Sequence, residues 1–397
     1  MDIAIQDKAE KGLVNLITPI IVSVFAVYLT IGMTLGVLPG YIKNDLKQGS
    51  LVVGIVIGLQ SLATLVTRAY AGKLTDTRGA KTSNHLGIVL VLLSGVVYLI
   101  ALWLSPYAGL ATSLFLLARM VHGVSESLAV TGALTWGIGL VGAQKSGKVM
   151  TWNGIAMYAG IAVGAPLAIW MKGALGAGCV FAMIFLLSTV SWLATVKLPA
   201  LPVDAAHIRT PFYKVVGLIA GQGLGLAFSA IGFACISSFI FLLFTQQRWG
   251  APSMAFMAFG AAYIVTRILF SSFPDRFGGY AVALVSLVIE AAGQLLIASA
   301  SSAAMAIAGC SLTGIGFSLI FPALGVLAIK KVAPQMRGTA LGAYAAFFDL
   351  SLGLAGPAAG IIAGWYGYAA IYVFGGCCCL LAMTVLLRNK MFMPKDK

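Results

Sequence analysis

The chain has 397 residues, 60% of them hydrophobic and only 9% charged, with a mean hydropathy of +1.00. A soluble domain carries about 25% charged residues, so this chain cannot dress a water-facing surface and suits a lipid bilayer instead. A formal net charge of +14 would suggest nucleic acid on a soluble protein, but the basic residues lie in short loops without interleaved aromatics. That pattern excludes nucleic-acid binding and points to membrane orientation.

In chain order, residues 1–11 mix Asp2, Asp7, Lys8, Glu10 and Lys11, and the apolar run behind them is too long for a cleavable signal. It reads as a first spanning helix that is kept. A span needs about 20 apolar residues. Such runs fall near 15–38, 50–71, 83–104, 109–134, 149–171 and 176–197. A polar stretch with Pro199, Pro202, Asp204, His207, Arg209 and Pro211 follows. Six more runs lie near 214–244, 252–272, 280–299, 303–329, 338–362 and 366–388. The expected fold is an all-α membrane protein of twelve transmembrane helices: a six-helix bundle over 1–197, a cytoplasmic linker over 198–213 and a second six-helix bundle over 214–397. With the N-terminus in the cytoplasm, 18 lysines and arginines fall on the inner side. Only Lys43, Lys47, Lys172 and Arg248 fall outside, and Arg68, Arg119 and Arg267 remain within the membrane. This bias places both termini in the cytoplasm.

The halves repeat. Arg68, Asp76 and Gly79 recur as Arg267, Asp275 and Gly278 at a constant offset of 199. Gly164-Ala165-Pro166 in the fifth run is matched by Gly356-Pro357 in the eleventh. Two parallel halves related by an axis along the membrane normal are a transporter architecture. The six cysteines (Cys179, Cys235, Cys310 and the consecutive Cys377, Cys378 and Cys379) lie in apolar runs and read as small apolar side chains. No metal cluster, cofactor motif, nucleotide-binding loop or nucleophile elbow is present, so neither an enzyme nor an ATP-driven pump is expected.

The loop after the second run is Gly72-Lys73-Leu74-Thr75-Asp76-Thr77-Arg78-Gly79-Ala80-Lys81. Its glycines allow a tight turn at the membrane face, and Asp76 can accept from helix N-termini or meet a basic residue. This G-x-L-x-D-x-x-G-x-K pattern resembles the signature of the major facilitator superfamily, and the resemblance covers the whole chain. Gly123–Ser127, Thr131–Gly137, Ser146–Gly154, Pro274–Gly279 and Phe321–Val326 are similar to the YhhS/YfcJ-type transporters of bacterial inner membranes, a branch related to drug:proton antiporters. The resemblance implies alternating access between two bundles. Gly72, Asp76, Arg78 and Gly79, with Asp275, Arg276 and Gly278, would then latch the cytoplasmic side.

On the fourth run, Arg119 and Glu126 are two turns apart and share a face at about 10 Å, with His122 between them. A charge at this depth costs several kcal/mol unless it is paired or faces water, which makes a functional role the default. A structural ion pair is the alternative, and for His122 a hydrogen-bonded interior histidine. The resemblance links the arginine of Arg119-Met120-Val121-His122-Gly123 to proton coupling. Three acids lie mid-membrane: Glu126, Glu290 and Asp349. Desolvation favours a neutral acid and a nearby arginine favours the anion, so a carboxyl between them can load and release a proton. Glu126 and Asp349 lead. Glu290 has an equal structural reading, paired to Gln294 one turn away. The fifth run, Gly160 to Pro166, places small residues four apart for close helix contact. It resembles the G-x-x-x-G-P pattern of the superfamily's antiporters, which favours export, and the departure at Ala165 leaves that direction unsecured. Tyr28, His122, Trp152, Asn153, Tyr158, Gln222 and Phe348 are the candidate cavity lining.

The expected function is proton-coupled secondary transport in a bacterial inner membrane. Its partners are a small-molecule substrate, protons and the lipid bilayer, and the working state is a monomer. Export of small amphipathic or chelate-like molecules leads, import of a small nutrient or metal chelate is second, and a non-transporting membrane sensor is third.

Overall fold

The computed structural model describes residues 2–142, 146–202, 212–332 and 337–391. The side chains of 2–15, 146–148, 212–214, 275, 337–339, 341, 390 and 391 lie outside that description. Most of the expected linker, from 203 to 211, also lies outside it. Among the described residues every regular element is helical, as lipid demands of a chain that must satisfy its own backbone. The helices are α1 (Asp2–Gly40, prolonged by a π-helical turn Tyr41–Asp45), α2 (Ser50–Arg78), α3 (Ala80–Trp103), α4 (Ala108–Val141), α5 (Ser146–Leu175) and α6 (Ala177–Thr195). They continue with α7 (Phe212–Gln246), α8 (Pro252–Phe270), the short α9 (Phe273–Phe277), α10 (Gly279–Ala298), α11 (Ala303–Lys330), α12 (Arg337–Tyr366) and α13 (Tyr368–Met391). All but α9 are long and apolar enough to cross a membrane, which makes twelve candidate spans among the described residues.

The loop after the second span is tighter than its glycines suggest. Helix α2 continues through Arg78, so Gly72 is helical and only Gly79 turns the chain. Gly79 has φ 93° and ψ 150°, and its repeat partner Gly278 has φ 84° and ψ 141°. Only glycine enters that region without strain. Gly278→Ala should therefore lower stability by about 1–3 kcal/mol. Gly72→Ala, whose added carbon meets open space in a helix interior, should stabilise by roughly 0.5–1 kcal/mol. Thermal unfolding in detergent compares the two.

The chain folds into two compact units. The first holds α1 up to Thr34, then α2 from Ala63 onward with α3–α6; the second holds Leu35–Leu62 with α7–α13. Residues 35–62 thus group by contact with the second unit. The reason is visible in the second unit. A Cβ on Gly54 of α2 would stand 2.1 Å from the Gly356 carbonyl oxygen of α12, and one on Gly58 would stand 2.5 Å from that of Gly353. Bare backbones touch there, and close packing is what holds helices together when lipid offers no hydrophobic gain.

The first unit centres on Tyr98 of α3, Phe115 of α4 and Phe181 of α6, with the Tyr98 and Phe181 rings stacked at 5.1 Å. The second has a larger core around Val215, Leu226, Leu287, Ile320, Leu324 and Leu386. The outer surface is apolar. Val66, Ile268, Leu269 and Leu193 are exposed, as are Trp103 at the end of α3, Tyr107 just before α4 and Trp170 near the end of α5. Exposed aromatics at helix ends match an interfacial belt.

Candidate functional site

Helix α4 carries its ionisable residues along one stripe, and α1 answers each with a hydroxyl in antiparallel register. Arg119 Nη1 donates to Thr34 Oγ1 at 3.1 Å. His122 Nε2 lies 3.1 Å from Thr30 Oγ1. The Tyr28 hydroxyl donates to Glu126 Oε1 at 2.8 Å. Helix α2 adds Thr64, whose hydroxyl donates to Glu126 Oε2 at 3.3 Å and to the Gly123 carbonyl at 3.0 Å. The threonines also donate back into their own helix, Thr30 to Val27 O and Thr34 to Ile31 O. With its proton on Val27, Thr30 accepts from His122 Nε2–H, which leaves Nδ1 as a buried acceptor with no partner.

Burial separates the three. Arg119 and His122 are 2% and 0% exposed, whereas Glu126 is half-buried. His122 also meets the Tyr98 ring edge-on at 6.2 Å, so it is built into the interior between α1, α3 and α4. The carboxylate is the ionisable group of this stripe that keeps access to the surroundings, and it is held in place by two hydroxyls. Charge-assisted bonds of this type are the strong class of hydrogen bond.

Helix α5 packs against α1 beside this stripe. Added carbons on Gly160 and Gly164 would stand 2.7 Å from Leu29 N and 2.5 Å from Leu29 O. The expected small-residue groove is a direct α1–α5 backbone contact. Of the lining candidates on α5, Tyr158 and Asn153 are buried and Trp152 is exposed. Asn153 donates Nδ2 to Met157 Sδ and leaves Oδ1 without a partner.

In the second unit Asp349 of α12 is 3% exposed, and its neighbour Phe348 is half-buried, stacked at 6.2 Å on Phe317 of α11. Gln222 of α7 is fully buried and donates to the Tyr280 hydroxyl at 3.1 Å. Glu290 of α10 is also fully buried, and its partner is not Gln294. Ser229 of α7 donates to Glu290 Oε2 at 2.6 Å, while Gln294 Nε2 reaches Gly232 O and Thr313 Oγ1, each at 3.2 Å. Glu290→Gln keeps the shape and the acceptor for Ser229, so unfolding should shift by less than about 1 kcal/mol. Glu290→Ala strands Ser229 beside a cavity and should cost roughly 2–5 kcal/mol. Denaturant titration in detergent separates the two outcomes.

Asp76 and Arg78 at the end of α2 and Arg276 in α9 are exposed, and Arg276 lies 5.8 Å over the Phe277 ring. The Asp275 side chain lies outside the described residues. The last lysine of the loop pattern has a definite task. Lys81 Nζ donates to Val196 O and Leu198 O at 2.7 Å each, capping the end of α6, and Trp136 Nε1 donates to Pro199 O at 2.9 Å.

The acids and Arg119 were legible as isolated charges in apolar runs. Thr30, Thr34, Thr64 and Ser229 were missed. A hydroxyl stripe on α1 facing a charged stripe on α4 is the signal that could have found the first two.

Comparison with known proteins fits this architecture. The sequence profile of the Major Facilitator Superfamily matches residues 20–252 and 223–396. The chain belongs to this superfamily. Two relatives, each described as an uncharacterized MFS-type transporter, extend the match. One, from Pseudomonas aeruginosa, is 41% identical over 392 residues, 98% of this chain and 97% of that one. The other, from Salmonella typhimurium, is 38% identical over 364 residues, 92% of this chain and 94% of that one. Solved structures share the fold: a D-xylose-proton symporter at TM-score 0.77 and 16% identity (96% of this chain, 98% of that one). The nucleoside transporter NupG follows at TM-score 0.73 and 16% identity (95% and 100%). The protein is therefore a twelve-span membrane transporter of the superfamily and not an enzyme.

Proposed function

We propose that this transporter is proton-coupled and works as an exchanger, exporting small amphipathic or chelate-like molecules by alternating access in a bacterial inner membrane, with both termini cytoplasmic. The half-buried Glu126, fixed by Tyr28 and Thr64 on a helix that also buries Arg119 and His122, is the observation that carries the reading. An acid at this depth is expensive unless it is paired or faces water, which makes a place on an ion path the default reading. Glu126 and Asp349 are the proton carriers. Arg119 holds the stripe in register, and Glu290 is a secondary acid. Loading a proton on the carriers shifts the balance between inward- and outward-facing states, and the Asp76 and Asp275 loops latch the cytoplasmic side. Tyr28, His122, Trp152, Asn153, Tyr158, Gln222 and Phe348 are the candidates for substrate contact. The likeness of Gly123–Ser127 and Ser146–Gly154 to YhhS/YfcJ-type transporters supports placement near the drug:proton antiporters, and the working unit is a monomer.

Symport is the second reading. Ala165 between Gly164 and Pro166 breaks the antiporter pattern, and the α1 contact already accounts for Gly160 and Gly164. Proteoliposomes decide between the two, because gradient thermodynamics does not depend on protein orientation. Accumulation inside acid-filled vesicles means exchange; accumulation inside alkaline-filled vesicles means symport. Accumulation that persists in the Glu126→Gln, Asp349→Asn double variant removes proton coupling through these acids.

A further inference from the structure

Arg267 stands in the last turn of α8 and is 9% exposed. Its guanidinium ends among aromatic groups. Nη2 donates to the Tyr263 hydroxyl one turn back, the cation lies 5.1 Å from the centre of the Tyr263 ring, and Tyr344 of α12 is within electrostatic reach. Tyr344 itself is turned away, its hydroxyl donating to Phe321 O at 3.1 Å. The Arg267 Nε is buried and has no partner. Among the described residues no hydrogen bond or ion pair joins this guanidinium to a carboxylate.

A cation enclosed at a membrane-helix end without a counter-charge is costly. Two features offset part of that cost. The C-terminus of α8 presents a dipole equivalent to about half a negative charge, and the Tyr263 ring offers its face. Among the described residues, neither gives the Nε–H a partner. An arginine fork is matched in geometry and charge by the paired oxygens of a carboxylate or phosphate. The surroundings suit an apolar body behind such a group. From Tyr263 a column of rings runs through Phe317, 6.0 Å away, to the half-buried Phe348 at 6.2 Å beyond it.

We propose that Arg267, flanked by Tyr263 and Tyr344, is an anion site that binds the carboxylate or phosphate of an amphipathic organic anion. Two sources supply that chemistry. One is a soluble anion, the transported solute included; the other is the headgroup of an anionic phospholipid. The proposal needs neither proton coupling nor a direction of transport.

Full-length protein in nanodiscs tests it. Discs of phosphatidylcholine alone are titrated with benzoate or inorganic phosphate at constant ionic strength, and a second set contains phosphatidylglycerol. Thermal unfolding is the readout, since a ligand of the folded state raises the midpoint in a saturable way. Arg267→Gln should weaken the apparent affinity about tenfold or more, the loss expected for one charge-assisted contact. Arg267→Lys keeps the charge without the fork, stays closest to the native packing, and should weaken it severalfold. An Arg267-dependent response to benzoate or phosphate in phosphatidylcholine identifies a soluble anion. An Arg267-dependent response to phosphatidylglycerol alone identifies the lipid. Both outcomes support the site. Equal responses of wild type, Arg267→Gln and Arg267→Lys overturn it, as does a wild type that no anion or anionic lipid stabilises. Because binding is read without flux, failure here leaves the proton-coupling reading intact, and loss of coupling leaves this site intact.

Discussion

Glu126→Gln should yield a folded protein that equilibrates its solute but no longer concentrates it. Each pH unit across the membrane is worth about 1.4 kcal/mol per proton, a tenfold concentration ratio. A gradient of about two units should therefore drive roughly hundredfold accumulation by the wild type for each proton coupled, and none by the variant. The amide cannot carry the cycle because it neither gains nor loses a proton. It is otherwise a close fit. The Tyr28 hydroxyl still finds an oxygen acceptor, and the Thr64 hydroxyl can accept from the new amide. Unfolding should move by less than about 1 kcal/mol, so lost accumulation cannot be blamed on a lost fold. Tyr28→Phe gives the graded counterpart. It removes one bond to a charged group, worth about 1.5–3 kcal/mol, and should slow coupled uptake while leaving accumulation at long times. Labelled-solute uptake, followed to steady state with an uncoupler control, distinguishes the three proteins. Undiminished accumulation by Glu126→Gln would remove this acid from the mechanism.

The reasons some of this was legible in the sequence, and some not, are physical. Twelve spans are visible because each must bury its backbone in lipid alone, which forces about 20 apolar residues into one stretch. The Arg68, Asp76, Gly79 repeat is visible because a backbone that needs positive φ accepts little besides glycine, and Gly79 and Gly278 do share that conformation. What stays hidden is pairing. Ser229 meets Glu290 from 61 positions away, and serine in an apolar run is common enough to carry no signal. The placement of residues 35–62 with the second unit depends on Gly54 and Gly356, hundreds of residues apart in a chain that contains 47 glycines. The loop pattern misled in one respect: Gly72 resembles a turn residue but lies inside α2, and the turn is made by Gly79 alone.

Gly164→Leu is expected to be the most damaging single change in the first unit. A Cβ there would meet Leu29 O at 2.5 Å, Met33 N at 2.9 Å and Gly32 Cα at 3.0 Å, so every obstacle is backbone and none can rotate aside. The facing glycine, Gly32, is equally bare: its own Cβ would sit 2.7 Å from Ile161 Cα and Ile161 O. Side chains can yield to an intruding group by changing rotamer, but two helices in backbone contact can yield only by moving apart. Overpacking a core with flexible neighbours costs about 1–3 kcal/mol. Here the cost should exceed that range, because α1 also carries Tyr28, Thr30 and Thr34. Separating α1 from α5 shifts the hydroxyls that hold Glu126, His122 and Arg119. The expected result is a sharp fall in the yield of monodisperse protein together with loss of transport. Gly173→Leu serves as the control. It lies on the same helix, nothing is within 4 Å of its added carbon, and it should be tolerated in both assays. Size-exclusion profiles of the two variants, expressed side by side, read the difference. A Gly164→Leu protein that elutes and transports as wild type does would mean that α1 and α5 are not in backbone contact, and the hydroxyl register built on that contact would fall with it.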